Sequence, residues 1–521
     1  MRPTHDANAA GADRTVLGTQ DGVMSTGSEH PIAGEAAYPR RWRALAVTQL
    51  AGFMGLLDVS IVNVALPSIQ RSLGASAAQV QWVVSGYALS FGLVLVAGGR
   101  LGDALGRRRM FLVALTGFVV TSALCGAAPS AGWLVAARLL QGVTAGMLTP
   151  QNSGLIQVLF RGAERGRAFG IFGATVGLST AVGPVLGGLI LTAAGEQEGW
   201  RWVFYVNVPI GLIALVAAWR LVPSRQRSGA PVASQIDVVG ALLLGAGVLC
   251  LLLPLVQVES GGLGRLWWLF ALAPVLVALF LRWEHRMVRR DRAPLLDTRL
   301  LSATPGYPAG ATLGLVYFVG FSGIWLVFAL YFQRGLGYTP LQSGFAVTSF
   351  ALGSAVSAAI AGRLVARYGR WLTVGGLGCV AVGLAATAVV LDVVPAAWAG
   401  RAAALPLLIA GIGGGAVISP NVTLTLECVA PRMGGAAAGT LQTGQRIGSA
   451  IGTATLAAVF YGVVSHGGHY QDAIAAALLT GTGFVCLALL VAVWELRVRR
   501  RRALLAGPDV ASVAQADVHR T

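Results

Sequence analysis

Residues 99–107 read GRLGDALGR, and residues 362–370 read GRLVARYGR. Gly, Arg, Leu, Gly and Arg recur at a constant offset of 263 residues. Each copy directly follows a long apolar run, the second such run in the chain and then the tenth, so both copies fall on the same side of the layer those runs cross. Repeats in one orientation describe a duplicated unit whose halves are related by an axis along the membrane normal. A chance pair of Gly/Arg turns is the bland alternative, because such turns are common between helices.

Working outward, the composition names the layer. The chain has 521 residues, 55% of them hydrophobic, 11% charged and 70 of them Gly, with a mean hydropathy of +0.70. A soluble chain carries roughly 25% charged residues, so this one has too little polar surface to cover a body in water. Lipid is its solvent. A span of the hydrocarbon core takes about 20 mostly apolar residues, and the sequence holds fourteen such runs, from about 44–66 to about 472–495. Eight of them separate the two copies of the repeat. The simplest parse is an N-terminal six-helix half (41–223), an inserted two-helix pair with linkers (224–304; helices at 237–283) and a C-terminal six-helix half (305–497). These are flanked by a polar, disordered N-tail (1–40) and a basic C-tail (498–521).

All 38 basic residues are Arg, and the net charge is +17. With the N-terminus inside, 31 arginines fall in cytoplasmic segments, five in external loops (Arg71, Arg201, Arg265, Arg334, Arg401) and two, Arg138 and Arg446, within helices. So lopsided a split predicts both termini in the cytoplasm. It also makes the basic excess a record of topology and of contact with the lipid bilayer, not a nucleic-acid footprint. The lack of Lys excludes a Walker-type phosphate loop. The five Cys lie in or beside apolar runs and read as small buried hydrophobes. No metal-ligand cluster, HExxH or embedded Ser/His/Asp grouping points to an enzyme or a metal site.

GGRLGDALGRRRM (98–110) resembles the cytoplasmic loop signature of the major facilitator superfamily, G-x-L-x-D-R-x-G-R-K/R, through Gly99, Leu101, Asp103, Gly106, Arg107 and Arg108; Ala104 replaces the usual basic residue. LDVSIVNVALP (57–67), WLVAARLLQGVTAG (133–146), GPVLGG (183–188) and WRWVFYVNVPIG (200–211) resemble the fourteen-helix drug:proton antiporter branch of that superfamily. The likeness spans about residues 44–500. It implies an all-α fold of two six-helix halves plus an inserted pair, alternating access, and proton-driven export of hydrophobic drugs or antibiotics across the cell membrane, with the proton gradient in place of any cofactor. It also assigns GPVLGG, with Gly183, Pro184, Gly187 and Gly188, to exporters. An importer or uniporter of a small organic solute is the alternative, and a membrane-embedded enzyme or receptor a more distant one.

An ionisable group inside a bilayer is a functional candidate by default. At 1.5 Å per residue, Asp58 lies about 14 residues into its helix and Arg138 about six into an oppositely running one. Both therefore sit about 9 Å below the outer boundary of a ~30 Å core. One reading is a proton-coupling site, where desolvation and a neighbouring Arg pull the carboxyl in opposite directions. The other is a static ion pair that sets helix register. Arg446 shows no acidic partner at its level and either coordinates substrate or bonds to carbonyls at a helix break. Asp103 could cap a helix or pair across the halves as a conformational latch. The Gly183–Pro184 step could bend its helix or serve packing alone.

Phe318, Phe321, Trp325, Phe328 and Phe332 are spaced 3, 4, 3 and 4, on one helical face. That face either lines a cavity for flat apolar compounds or packs against lipid or protein. Aromatic and cationic small molecules are both open as substrates. Tyr87 and Phe91 are further candidates on the second helix.

Overall fold

The computed structural model describes residues 38–195, 197–223, 237–257, 262–290, 306–430 and 433–505, together with 292, 294–296, 300 and 304. Residues 1–37 of the N-tail, residues 506–521 of the C-tail, most of the linkers around the inserted pair and the side chain of Pro184 lie outside the described set.

Among the described residues every regular element is helical. The helices of seven residues or more are α1 (Arg41–Leu73), α2 (Ala77–Leu105), α3 (Arg107–Gly126), α4 (Ala131–Leu159), α5 (Gly162–Ala194), α6 (Gly199–Tyr205), α7 (Asn207–Leu221), α8 (Val238–Val256), α9 (Trp268–Arg289), α10 (Tyr307–Ser322), α11 (Ile324–Leu330), α12 (Pro340–Tyr368), α13 (Arg370–Val393), α14 (Ala404–Leu426), α15 (Gly434–Ser465) and α16 (Tyr470–Leu505). Thirteen spans among the described residues are long and apolar enough to cross a membrane. The 33-residue α5 stands beside them and fills the place of the remaining expected helix. In lipid a helix satisfies its own backbone polar groups, which is why each apolar run becomes one.

Two spans are interrupted where the sequence invites it. The sixth breaks at Val206, and Pro209 follows in the first turn of α7, where its missing N–H costs no bond. The ninth, α10–α11, breaks at Gly323 and ends in a π-helical turn, Tyr331–Gly335.

The sequence repeat extends further than its loop. Ser76 and Gln79 form a capping box at the start of α2, and Thr339 and Gln342 form another at the start of α12, at the same 263-residue offset. In each box the hydroxyl accepts from the Gln backbone N–H and the Gln side-chain oxygen accepts from the N-cap backbone N–H, so two otherwise orphan donors are satisfied. Gly106 (φ 96°) and Gly369 (φ 52°) then turn the chain with positive φ, and Arg107 and Arg370 open the next helices.

The halves meet through small residues. Gly166, Gly170, Gly173 and Gly177 of α5 pack on Ala355, Ala358 and Gly362 of α12, while Gly99 of α2 packs on Gly435 of α15. Lipid gives two helices no hydrophobic reason to associate, so close backbone approach supplies the attraction. Helix α8 of the inserted pair lies along this seam: Val248 and Leu252 pack with Trp82 and Leu89 of α2 and with Ile447 and Ala450 of α15.

Candidate functional site

Asp58 on α1 is fully buried, and its carboxylate accepts from three side chains. Arg138 Nη1 donates to Oδ2, while Gln141 Nε2 at 3.1 Å and Asn207 Nδ2 at 3.3 Å donate to Oδ1. Arg138 is held in turn: its Nε donates to the Val83 carbonyl at 3.0 Å, its Nη1 also donates to Gln141 Oε1 at 2.8 Å, and its guanidinium lies 4.1 Å from the Tyr87 ring centre. Asn207 also donates to Ser122 Oγ at 3.2 Å. Helices α4 and α7 thus converge on a carboxylate carried by α1, while α2 and α3 hold Arg138 and Asn207 in place.

The surrounding sequence explains that convergence. Gly142 and Gly146 of α4 sit against the backbone of Tyr87 and Phe91 on α2, where any side chain would collide. The close crossing brings Arg138 to Val83. Depth along the helices pairs Asp58 with Arg138 in the sequence but does not single out Gln141 or Asn207. Asn207 carried a usable signal, a polar side chain placed at a helix break before Pro209.

A cavity of about 540 Å³ lies between the halves, within the range of drug-sized pockets. Neither Asp58 nor Arg138 lines it. Leu56, Val59, Ser60 and Asn63 of α1 do, so the cavity and the buried carboxylate occupy different faces of one helix. Phe318, Phe321, Trp325 and Phe328 all line the cavity, as do Phe91 and Arg446. Phe332 does not: it is buried against Phe328 and Tyr338. The aromatic wall is pre-assembled edge-to-face, with Phe321 to Trp325 at 5.7 Å and Trp325 to Phe350 at 5.0 Å. Tyr87, the other candidate on α2, faces Arg138 and donates to the Gly55 carbonyl at 3.0 Å.

The loop motif closes one end of the seam. Asp103 accepts from the backbone N–H groups of Gly435 (3.2 Å) and Ala436 (3.0 Å) at the first turn of α15, and from Arg107 Nη2 at 2.6 Å. A carboxylate there meets orphan donors and the positive end of the helix. A Cβ on Gly99 would strike the Gly435 backbone, and one on Gly154 would strike Arg107. Arg108 donates to the Trp219 carbonyl, and Leu101 is half-buried.

The GPVLGG stretch of α5 packs on α1 beside Asp58. A Cβ on Gly183 would come within 2.6 Å of Ser60 Cβ, and one on Gly187 within 3.1 Å of Ile61. Ser60 Oγ donates to the Ser179 carbonyl at 3.2 Å. Gly188 is half-buried, and its carbonyl accepts from Thr192 at 2.9 Å.

A second buried polar group went unread in the sequence. Arg370 donates to Asn421 Oδ1 at 2.6 Å and pairs with Glu495 at 2.9 Å. The cysteines divide: Cys125 and Cys250 are buried, Cys379 is intermediate, and Cys428 and Cys486 are exposed, so the reading of all five as buried does not hold. The cause is that an apolar run in a membrane protein has a lipid face as well as a packed one. Among the described residues no His/Cys/Asp/Glu group could hold a metal.

Two helical halves around a central cavity, with a charged pair buried beside it, are the architecture of a membrane transporter. The chain matches the profile of the Major Facilitator Superfamily over residues 49–283 and 310–514, and it belongs to that family. It is similar to a probable actinorhodin transporter of Streptomyces coelicolor, 36% identical over 88% of this chain and 78% of the relative. It is likewise similar to a puromycin resistance protein of Streptomyces alboniger, 38% identical over 82% of this chain and 83% of the relative. Among solved structures, the proton:xylose symporter XylE superposes with a TM-score of 0.62 at 13% identity, covering 88% of this chain and 95% of the symporter, which is a likeness of fold. The protein is thus a multi-pass transporter of the cell membrane.

Proposed function

We propose that this protein is an antiporter that expels an apolar, aromatic compound in exchange for inward-moving protons, by alternating access of one central cavity. The observation that carries the reading is the placement of Asp58 and the cavity wall on different faces of α1. One helix then senses both cargoes. With Asp58 ionised, Arg138, Gln141 and Asn207 bind α1 to α4 and α7. A proton on the carboxyl removes the charge that holds Arg138, and the loosened α1 can shift against the Gly183 and Gly187 surface of α5. A cargo against Val59 and Asn63 biases the same helix from its other side. Coupling of this kind is a difference in affinity for two states.

The relatives named for antibiotic transport and resistance favour export over import. The arginine distribution supports cytoplasmic termini, which puts the Asp103 contact on the inner side. In this reading the proton gradient is the energy source and no cofactor is required. In energised inverted vesicles, adding an aromatic substrate should dissipate the pH gradient in wild type and leave it intact in Asp58→Asn. Dissipation that survives Asp58→Asn removes Asp58 from coupling, and a gradient indifferent to aromatic compounds removes the antiport reading.

A further inference from the structure

The cavity wall is aromatic and amide-rich, and Arg446 is the one charged residue among those that line it. Its setting differs from that of the other arginines inside the bundle. Arg138 is matched by Asp58, and Arg370 by Glu495. Among the described residues, Arg446 forms no ion pair and donates no hydrogen bond; its contact is the face of Phe91, 4.2 Å from the guanidinium carbon to the ring centre. A guanidinium offers five N–H donors in a fork that fits a carboxylate or a similar paired-oxygen group. Here that fork opens into a largely apolar cavity, where a charge left without a partner is costly.

We infer that the exported compound is an aromatic anion, a flat ring system bearing a carboxylate or an acidic phenolic oxygen, whose negative oxygen seats on Arg446 while its rings lie against Phe321 and Trp325. The inference rests on the antiport reading above and adds the sign of the cargo's charge. An organic cation finds no carboxylate on this wall and meets the field of Arg446, which also already occupies the Phe91 face that a cation would use. A neutral compound leaves the guanidinium without a partner.

Calorimetric titration of the full chain in lipid nanodiscs tests this with three probes: anthraquinone-2-carboxylate, anthraquinone-2-carboxamide and ethidium. Wild type should bind the carboxylate at least ~10-fold tighter than the carboxamide, the scale of a charge-assisted hydrogen bond, with ethidium weakest. Arg446→Gln should bring the carboxylate-to-carboxamide ratio close to one while leaving carboxamide binding in place, which also reports an intact fold. Arg446→Lys should keep part of the preference. Equal wild-type affinity for carboxylate and carboxamide, tighter binding of ethidium, or a preference that persists in Arg446→Gln overturns the anion assignment and leaves antiport standing. Failure of wild type to bind any of the three overturns both.

Discussion

Asp58 and Arg138 form an ion pair in which neither side chain reaches the central cavity, although Val59, the next residue of α1, lines it. In the proposed mechanism, proton chemistry and cargo recognition are therefore separated by the thickness of one helix. Breaking a buried pair leaves a charge without compensation, at a cost of about 3–5 kcal/mol. Asp58→Asn keeps the Gln141 and Asn207 side chains in reach but strands Arg138. It is expected to reach the membrane with a lowered Tm and no proton-coupled efflux. The double substitution Asp58→Asn with Arg138→Gln should recover Tm without recovering efflux, as read by thermal melting in detergent alongside vesicle acidification.

Asn207 supplies one of three donors to the Asp58 carboxylate and ties it to Ser122. Asn207→Leu should cost roughly 1–3 kcal/mol of stability, the penalty of a lost bond to a buried charged group. The same change should weaken coupling, seen as fewer protons consumed per substrate expelled. Unaltered stoichiometry would assign Asn207 to packing alone.

Asp103 holds the first turn of α15 from across the seam. Removing a helix-capping carboxylate costs about 0.5–2 kcal/mol, which shifts a two-state balance by up to ~30-fold at 1.4 kcal/mol per decade. Asp103→Ala should populate the state open at this end. A cysteine introduced at Ala104 would then react faster with a membrane-impermeant maleimide than it does beside the intact Asp103.

Gly183 lets α5 lie directly on Ser60 of α1. Overpacking of this kind typically costs about 1–3 kcal/mol. Gly183→Leu should abolish efflux while Leu189→Ala, on an exposed face of the same helix, leaves it unchanged; efflux rates in intact cells separate the two.

Trp325 packs edge-to-face on Phe321 and Phe350 and faces the cavity. Trp325→Ala should lower affinity for aromatic substrates by roughly 3–10-fold, the worth of an aromatic contact at about 0.5–1.5 kcal/mol, with little change in the number of protons exchanged. A change in stoichiometry instead of affinity would tie this wall to coupling.

Much of this architecture is one-dimensional and was legible as such. Apolar runs, the 263-residue repeat and the depths of Asp58 and Arg138 follow from counting residues, because lipid obliges each run to satisfy its own backbone as a helix of fixed rise. The capping boxes at Ser76 and Thr339 lay at the same offset and were equally readable. The branch-specific stretches around Arg138 and Gly183 located the residues, and the spacing of Phe318, Phe321, Trp325 and Phe328 placed them on one face.

What lay beyond the sequence is azimuth: which way each helix is rotated and what it meets. Asn207 reaches Asp58 from 149 residues away, Arg370 finds Glu495 from 125 residues away, and Phe332 turns from the cavity while its four companions face it. Hydropathy does not encode such rotations, since a lipid-facing and a packed side chain are equally apolar. They are set by where glycines let backbones touch, at Gly142 on Tyr87, Gly183 on Ser60 and Gly99 on Gly435. The sequence alone determined the spans, their repeat and the level of the buried charges. Only the packing of those spans decided that the carboxylate and the cavity take different faces of α1, and that Arg446 opens toward the cavity without a partner.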